Sequence, residues 1–167
     1  MIFESLPTTP RSEELLDKAF SRAARAGRPK SGLEAQQSML QTASSILADN
    51  LENVVTRWPD FGTVDPFYYE LADAIVDVDE LRRSLSQVTW ASRPVRRLRE
   101  EYQPKLRTTD ADAARNRRDQ AFARLADVVD QVADPLERIG DARDALKTPP
   151  ATRLAERAVV VAASPNV

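Results

Sequence analysis

Apolar residues recur every three or four positions through most of the first 147 residues, the spacing of a helix face that packs on a core. The stripe from Leu81 to Tyr102 alternates steps of three and four, which is typical of helical bundles and coiled coils. The sequence therefore predicts an all-α fold, an antiparallel bundle of about five to six helices. The predicted helices cover residues 12–26, 33–57, 65–76, 77–102, 110–132 and 134–147.

Residues at the predicted helix starts can satisfy the exposed backbone N–H groups there. Ser12 is the expected N-cap of the first helix. Asp65 followed by Pro66 predicts the start of the third helix, and Asp134 followed by Pro135 repeats the arrangement for the last one. Aspartate accepts the unpaired amide hydrogens, and proline suits the first turn because its missing N–H was unpaired anyway.

Prolines also predict one irregularity and one boundary. Pro94 falls inside the fourth helix and costs about 3 kcal/mol in a regular helix, so a kink or break is expected near Ser92. The Thr-Pro-Pro sequence at 148–150 predicts a domain boundary. The chain then divides into a helical domain over residues 1–150 and a terminal segment over residues 151–167.

The terminal segment has a different pattern. Its apolar run from Ala158 to Ala163 is short and valine-rich, which predicts one buried β-strand after the bundle. A polar turn follows at once, and a buried strand that runs into a turn is how a phosphate-binding loop begins. The Gly-Lys-Ser/Thr of such a loop would come directly after Val167. The candidate nucleotide-binding residues are Ala163, Ser164, Pro165, Asn166 and Val167.

These last residues resemble the start of the phosphate loop in Obg-related GTPases, where a hydrophobic strand leads into G-x-P-N-V-G-K-S. Residues 164–167 match x-P-N-V, and Ala163 stands where the family usually has its first glycine. The rest of the chain is similar to the helical region that precedes the GTPase domain in the Nog family (nucleolar GTP-binding protein), especially its archaeal members. The matching pieces are MIFESLPT at 1–8, ELLD at 14–17, DPFY at 65–68 with Leu71, and DPL at 134–136.

The resemblance implies the N-terminal part of a GTPase that assists assembly of the large ribosomal subunit. It implies ribosomal RNA and large-subunit proteins as partners, and GTP with Mg²⁺ as cofactors of the full-length protein. Residues 163–167 lack the lysine and the Ser/Thr hydroxyl of a complete loop, so this chain alone is expected to bind no GTP usefully and to be inactive. The alternative is a free-standing helical module that binds protein or RNA without GTPase activity.

The amino-acid composition excludes several kinds of chemistry. The chain has no cysteine and no histidine, which excludes disulfides, Cys/His zinc sites, thiol nucleophiles and histidine acid–base catalysis. No metal site is predicted. No stretch reaches the roughly 18 apolar residues of a membrane span, and the N-terminus lacks a secretory signal. We therefore expect a cytoplasmic protein with neither DNA nor a membrane as its partner; the oligomeric state is left open.

Charge is nearly balanced overall, at −2, but unevenly placed. Residues 93–118 hold nine basic residues against four acidic ones. Arginine suits phosphate because its planar fork donates two hydrogen bonds at once, so this stretch is the predicted RNA-contact surface. The other interpretation is a solvated helix face with internal ion pairs. The RNA-contact candidates are Arg93, Arg96, Arg97, Arg99, Lys105, Arg107, Arg115, Arg117 and Arg118.

Aromatic residues could stack on bases, but most lie on apolar stripes. Trp58, Tyr68 and Tyr102 are therefore expected in the core, and Phe67 is expected on the buried face of the third helix. Trp90 lies off the main stripe of its helix, where exposure is more plausible, although a packing role is still expected. The stripe from Leu81 to Tyr102 could also form a dimer seam, because intramolecular packing uses the same pattern.

Overall fold

The computed structural model describes residues 2–107 and 110–148. These residues form six α-helices and no strand, which confirms the all-α bundle. The predicted strand over 158–163 and the candidate phosphate-loop residues 163–167 lie outside the described residues. The helices are α1 (Ser12–Gly27), α2 (Gly32–Thr56), α3 (Pro66–Asp73), α4 (Val78–Lys105), α5 (Ala111–Gln131) and α6 (Ala133–Lys147).

The two longest helices, α2 and α4, organise the core. α2 packs against α1, α4 and α5, and α4 also contacts α3, α5 and α6. Leu47 and Leu51 of α2 and Val88 and Val95 of α4 are completely buried. Each such side chain stabilises the fold by about 1.5–3 kcal/mol relative to exposure, so the apolar stripes supply most of the driving force.

Aspartate starts three of the helices. The Phe67 amide donates to Asp65 Oδ1 at 2.8 Å, and Pro66 is the first residue of α3, which confirms the predicted start. Asp77 and Asp110 accept amide hydrogen bonds at the starts of α4 and α5, at 3.1 and 3.0 Å. Each carboxylate satisfies an N–H group that has no partner inside the helix.

Two predicted caps are wrong. Ser12 is the first helical residue of α1, its side chain is buried, and Arg11 occupies the cap position without a side-chain bond. Asp134 lies inside the first turn of α6, which begins at Ala133 directly after Val132. Because Val132 is both the end of α5 and the cap of α6, no loop position remains in which Asp134 could cap.

Of the kink or break predicted near Ser92, the break is wrong, because α4 runs without interruption through Pro94. The buried side chains of Val88 and Val95 lie on either side of Pro94, so breaking the helix would expose apolar surface on both sides. That burial outweighs the cost of one lost hydrogen bond. Nearby, the Ser92 hydroxyl donates to the Thr89 carbonyl at 3.0 Å, a local bond that helices tolerate and that often bends them.

The stripe that could have formed a dimer seam faces the interior of a single copy. Leu81 and Tyr102, at its two ends, are 3% and 5% exposed and belong to the same core cluster as α2 and α6 side chains. Intramolecular packing therefore accounts for the alternating spacing.

Aromatic residues close one end of the bundle. Phe3 docks on this end and lies 6.4 Å from the rings of both Phe61 and Tyr68. Trp58 is buried beside Phe61, as predicted for a core residue. Phe67 is 64% exposed, so its predicted burial is wrong: the short α3 buries Ala72, and Phe67 lies on its outer side.

Candidate RNA-binding surface

The outer face of α4 carries a row of arginines. The helix buries one stripe against the bundle, and the residues between the stripe positions remain in solvent. Arg93 and Arg97 lie one turn apart on this face, and Arg107 follows just beyond the end of the helix. Within residues 2–107 and 110–148, none of these three guanidinium groups has an ion-pair or hydrogen-bond partner. They are therefore available to an external anion.

Arg96, on the same helix, is bound to α2. Its guanidinium donates to Glu52 at 2.8 Å and lies 3.7 Å from the Asp49 carboxylate. The hydrogen bond to Glu52 is the main reason that the pKa of Arg96 is raised; burial opposes it, and the charges of Glu52 and Asp49 add to it. The pair is 45% and 43% exposed, so Arg96 ties α4 to α2 and still reaches the surface.

An open groove of about 490 Å³ lies beside the end of α4, where three arginines converge. Arg99 is half-buried there and makes a long contact of 3.5 Å with the Ser45 hydroxyl. The other basic groups around the groove are Arg96 and Arg107, and Glu100 is the acidic one. Several guanidinium groups around one opening are suited to a phosphate group, which accepts two hydrogen bonds from each planar fork.

A cluster of charges joins α4 to α5 on the next face. Glu101 accepts from Arg124 at 3.0 Å and from Lys105 at 3.3 Å. The hydrogen bond from Arg124 is the main reason that the pKa of Glu101 is lowered, and the hydrogen bond from Lys105 lowers it further. Lys105 also lies 4.8 Å from the centre of the Tyr102 ring. Lys105 thus has an ion-pair partner within the bundle, a carboxylate that it shares with Arg124.

The basic residues of α5 are engaged in contacts within the bundle. Arg115 lies 3.6 Å from Asp112, one turn earlier in the same helix. Arg117 donates to the backbone carbonyl of Lys105 at 2.7 Å, at the C-terminal end of α4. A cation is stabilised at that position because the last carbonyls of a helix carry partial negative charge. This bond stabilises the connection between α4 and α5.

Arg118 is largely enclosed, with a side chain only 15% exposed. It donates to Met39 Sδ at 3.3 Å and to Asp119 at 2.7 Å, and its guanidinium lies 5.3 Å from the Phe122 ring. Its Nε is buried and has no hydrogen-bond partner. Arg118 therefore packs α5 against α2, whereas Arg93 and Arg97 are exposed to solvent.

Sequence reasoning did not include Arg83 in the α4 face and did not predict that Trp90 belongs to it. Arg83 and Arg97 lie seven positions before and after Trp90, a spacing of about two helical turns that places all three on one side of the helix. Trp90 is 48% exposed, so the packing role expected for it is wrong. Repetition every seven residues was the signal that could have identified this face.

The described part of the chain contains no group of three or more carboxylates placed to hold a metal ion. In the same ranges, no helix combines the length and the apolarity that crossing a membrane requires.

These features define an all-helical bundle domain whose longest helix presents a row of arginines to solvent. Residues 3–151 match the NOG1 N-terminal helical domain, and the chain belongs to that family. It is 28% identical over 176 residues to an uncharacterized protein of Methanocaldococcus jannaschii, with 99% of this chain and 50% of that protein covered. It is 24% identical over 126 residues to nucleolar GTP-binding protein 1 of Encephalitozoon cuniculi, with 75% of this chain and 24% of that protein covered. The chain thus spans half or less of the length of these two relatives.

Proposed function

We propose that this domain is the N-terminal part of a Nog-like GTP-binding protein that assists assembly of the large ribosomal subunit. In this proposal the helical domain contacts ribosomal RNA and large-subunit proteins and positions the GTPase. Membership of the NOG1 N-terminal helical domain family supports the proposal, as does the similarity to a nucleolar GTP-binding protein. The observation that carries the RNA contact is the row of unpaired arginines on α4.

The physical argument concerns local charge, since the net charge of the chain is only −2. Arg93, Arg97 and Arg107 are exposed and have no described partner, so binding a phosphate breaks no existing ion pair. Each phosphate that they neutralise releases condensed counterions from the RNA, which favours binding most strongly at low salt. Arg117 and Arg118 would first have to give up contacts inside the bundle.

GTP and Mg²⁺ belong, in this proposal, to the full-length protein. Ala163–Val167 correspond to the beginning of a phosphate loop but supply neither the lysine that reaches the phosphates nor the hydroxyl that binds Mg²⁺. We therefore assign no step of nucleotide hydrolysis to the residues of this chain.

The RNA contact is tested by reversing three charges together, as Arg93→Glu, Arg97→Glu and Arg107→Glu. Binding to labelled fragments of large-subunit ribosomal RNA is measured by fluorescence anisotropy between about 0.05 and 0.2 M salt. At about 0.1 M salt we expect affinity to fall roughly 100-fold. The slope of log affinity against log salt should become shallower by the equivalent of about two to three phosphate contacts.

The matched control reverses Arg22, Arg25 and Arg28, which lie in and just after the last turns of α1 and carry no ion pair among the described residues. This variant has the same net charge as the test variant. An equal loss of affinity in both variants would show that only overall charge matters, and unchanged affinity in the α4 variant would remove that face from the proposal.

The alternative function is a helical interaction module that acts without a GTPase. It is separated from the leading proposal by reading the gene downstream of codon 167. A frame that continues with Gly-Lys-Ser/Thr and later supplies D-x-x-G and N-K-x-D motifs supports the GTPase, and a stop codon supports the module.

A further inference from the structure

Trp90 is a large aromatic side chain that the bundle leaves in solvent. It is 48% exposed, whereas Trp58, the only other tryptophan in the chain, is 7% exposed. No aromatic ring among the described residues packs on Trp90, unlike the exposed Phe67, which contacts the Tyr68 ring at 5.3 Å. A tryptophan buries more apolar surface than almost any other side chain, so an exposed, unpaired indole is the kind of residue that binding sites use.

The indole forms one wall of an open groove of about 400 Å³ between α4 and the end of α5. This volume lies within the range of small-ligand sites. Gln87 and Gln131 place two amide groups around the groove, and each amide can both donate and accept hydrogen bonds. The complete lining is Arg83, Ser86, Gln87, Trp90, Gln131 and Val132.

Positive charges lie on both sides of the ring along the helix. Arg83 and Arg97 are about 10 Å from Trp90 in opposite directions, at roughly 1.5 Å per residue. Both are exposed and have no ion-pair partner in the described ranges. Asp127 lines the adjoining groove together with Arg97, but the two side chains form no ion pair. A flat group with negative charge on either side of it would therefore be complementary to this part of α4.

We infer that Trp90 is a stacking platform for one unpaired base of an RNA strand. The base lies on the indole, its edge faces the amides of Gln87 and Gln131, and Arg83 and Arg97 bind phosphates of the same strand before and after that nucleotide. This inference rests on the proposed RNA-binding function and adds the class of ligand, a single-stranded nucleotide. Bases in a duplex are stacked on each other and cannot reach a side chain in this way.

The first measurement is affinity. We compare a single-stranded oligoribonucleotide of about twelve mixed-sequence residues with the same strand annealed to its complement. Trp90→Ala is expected to weaken single-strand binding by about 5- to 150-fold, the range found when one base loses its aromatic partner. Duplex binding, which depends on the arginines, is expected to stay within 2-fold, and Trp90→Phe is expected to retain most of the single-strand affinity.

The second measurement is fluorescence in the Trp58→Phe background, where Trp90 is the single tryptophan. Stacking is expected to quench its emission when single-stranded RNA binds, and duplex RNA is expected to leave the emission unchanged. The matched control is Phe67→Ala, which removes an exposed aromatic ring from α3 and should alter neither measurement. The affinity comparison stands by itself if Trp58→Phe does not fold.

The outcomes separate this inference from the function on which it rests. If the wild-type chain binds RNA and Trp90→Ala binds single strands equally well, the stacking site is wrong and the RNA-binding function stands. If the wild-type chain binds neither form of RNA, both proposals fall. Quenching of Trp90 by an acidic peptide that contains an aromatic residue, with none by RNA, would overturn the inference in favour of a protein partner.

Discussion

α4 and α5 draw their arginines from the same basic stretch of sequence and place them in different surroundings. On the α4 side, Arg93, Arg97 and Arg107 extend into solvent without partners in the described ranges. On α5, Arg117 binds the backbone at the end of α4, and Arg118 packs between helices. A count of local charges treats these arginines as equivalent, although only the first group can meet a phosphate without breaking an existing contact.

The difference follows from what surrounds each helix. α4 is packed by α2, α3, α5 and α6, and among residues 2–107 and 110–148 the side that carries Arg93 and Arg97 remains exposed. The first turns of α5 lie against the end of α4 and against α2, within reach of a long side chain. Arginine can pack its apolar stem and still satisfy its charged end, which makes it useful in such a crevice. Phe122, beside Arg118, stacks on Phe20 of α1 at 4.7 Å and extends this contact across the bundle.

The largest expected difference between the arginines of α4 and α5 is in their contribution to the free energy of unfolding. Arg118→Ala removes the contacts with Met39 and Phe122, and we expect the free energy of unfolding to fall by about 1–2 kcal/mol in urea denaturation. The loss is limited because truncation also removes a buried Nε that has no partner. Arg97→Ala serves as the α4 control and should change stability by less than about 0.5 kcal/mol. Similar losses in both variants would contradict the division between the two helices.

A smaller effect is expected at the end of α4. Arg117→Gln removes the charge-assisted bond to the Lys105 carbonyl, at a cost of about 0.5–1 kcal/mol. The last turn should then open more often, so hydrogen exchange at the Leu106 and Arg107 amides should accelerate about 2- to 5-fold. The amide of Val95, in the middle of the helix, provides the internal control. Uniform acceleration along α4 would point to global destabilisation instead.

The smallest effect concerns pH. The folded-state pKa of Glu101 is lowered from 4.5, mainly by the hydrogen bond from Arg124 and then by that from Lys105. A lowered folded pKa means that the stabilisation by Glu101 is present above the unfolded pKa and is lost as pH falls through the folded value. The stability difference between the wild type and Glu101→Gln should therefore be constant near neutral pH, begin to shrink as pH falls towards 4.5, and reach its low-pH limit only below the folded pKa of Glu101.

An NMR titration of the Glu101 side-chain carbon measures this pKa directly in the folded chain. A midpoint at or above 4.5 would show that Arg124 does not hold the carboxylate in solution. High salt should reduce the shift, because this pair lies at the surface.

Much of the fold could be predicted because the apolar residues that recur at helical spacing are also the residues that the bundle buries. The buried Leu47, Val88 and Leu125 lie on predicted stripes. Asp65 caps α3 as its Asp-Pro pair predicts, whereas the same pair at Asp134 lies inside α6. The failures at Ser12, Pro94 and Asp134 share one cause: helix ends and helix continuity depend on packing between segments that are distant in the sequence.

The candidate site was less predictable for a related reason. The partner of Arg96 is Glu52, 44 residues away in the sequence, and that of Arg118 is Met39, 79 residues away. No reading of one helix reveals which arginine meets a distant partner. The exposed face of α4 was accessible in principle, because Arg83, Trp90 and Arg97 follow from helical geometry alone once the buried stripe is known.

The length of α4 determines how its arginines act together. From Arg83 to Arg107 the row extends about 36 Å at ~1.5 Å per residue. In dilute buffer of about 0.01 M, where charges are screened over roughly 30 Å, an approaching polyanion meets the row as a single charged rod. Near 0.15 M the screening length is about 8 Å, and each guanidinium acts as a separate point. The same helix would thus attract a polyanion from a distance in one medium and only at close range in the other.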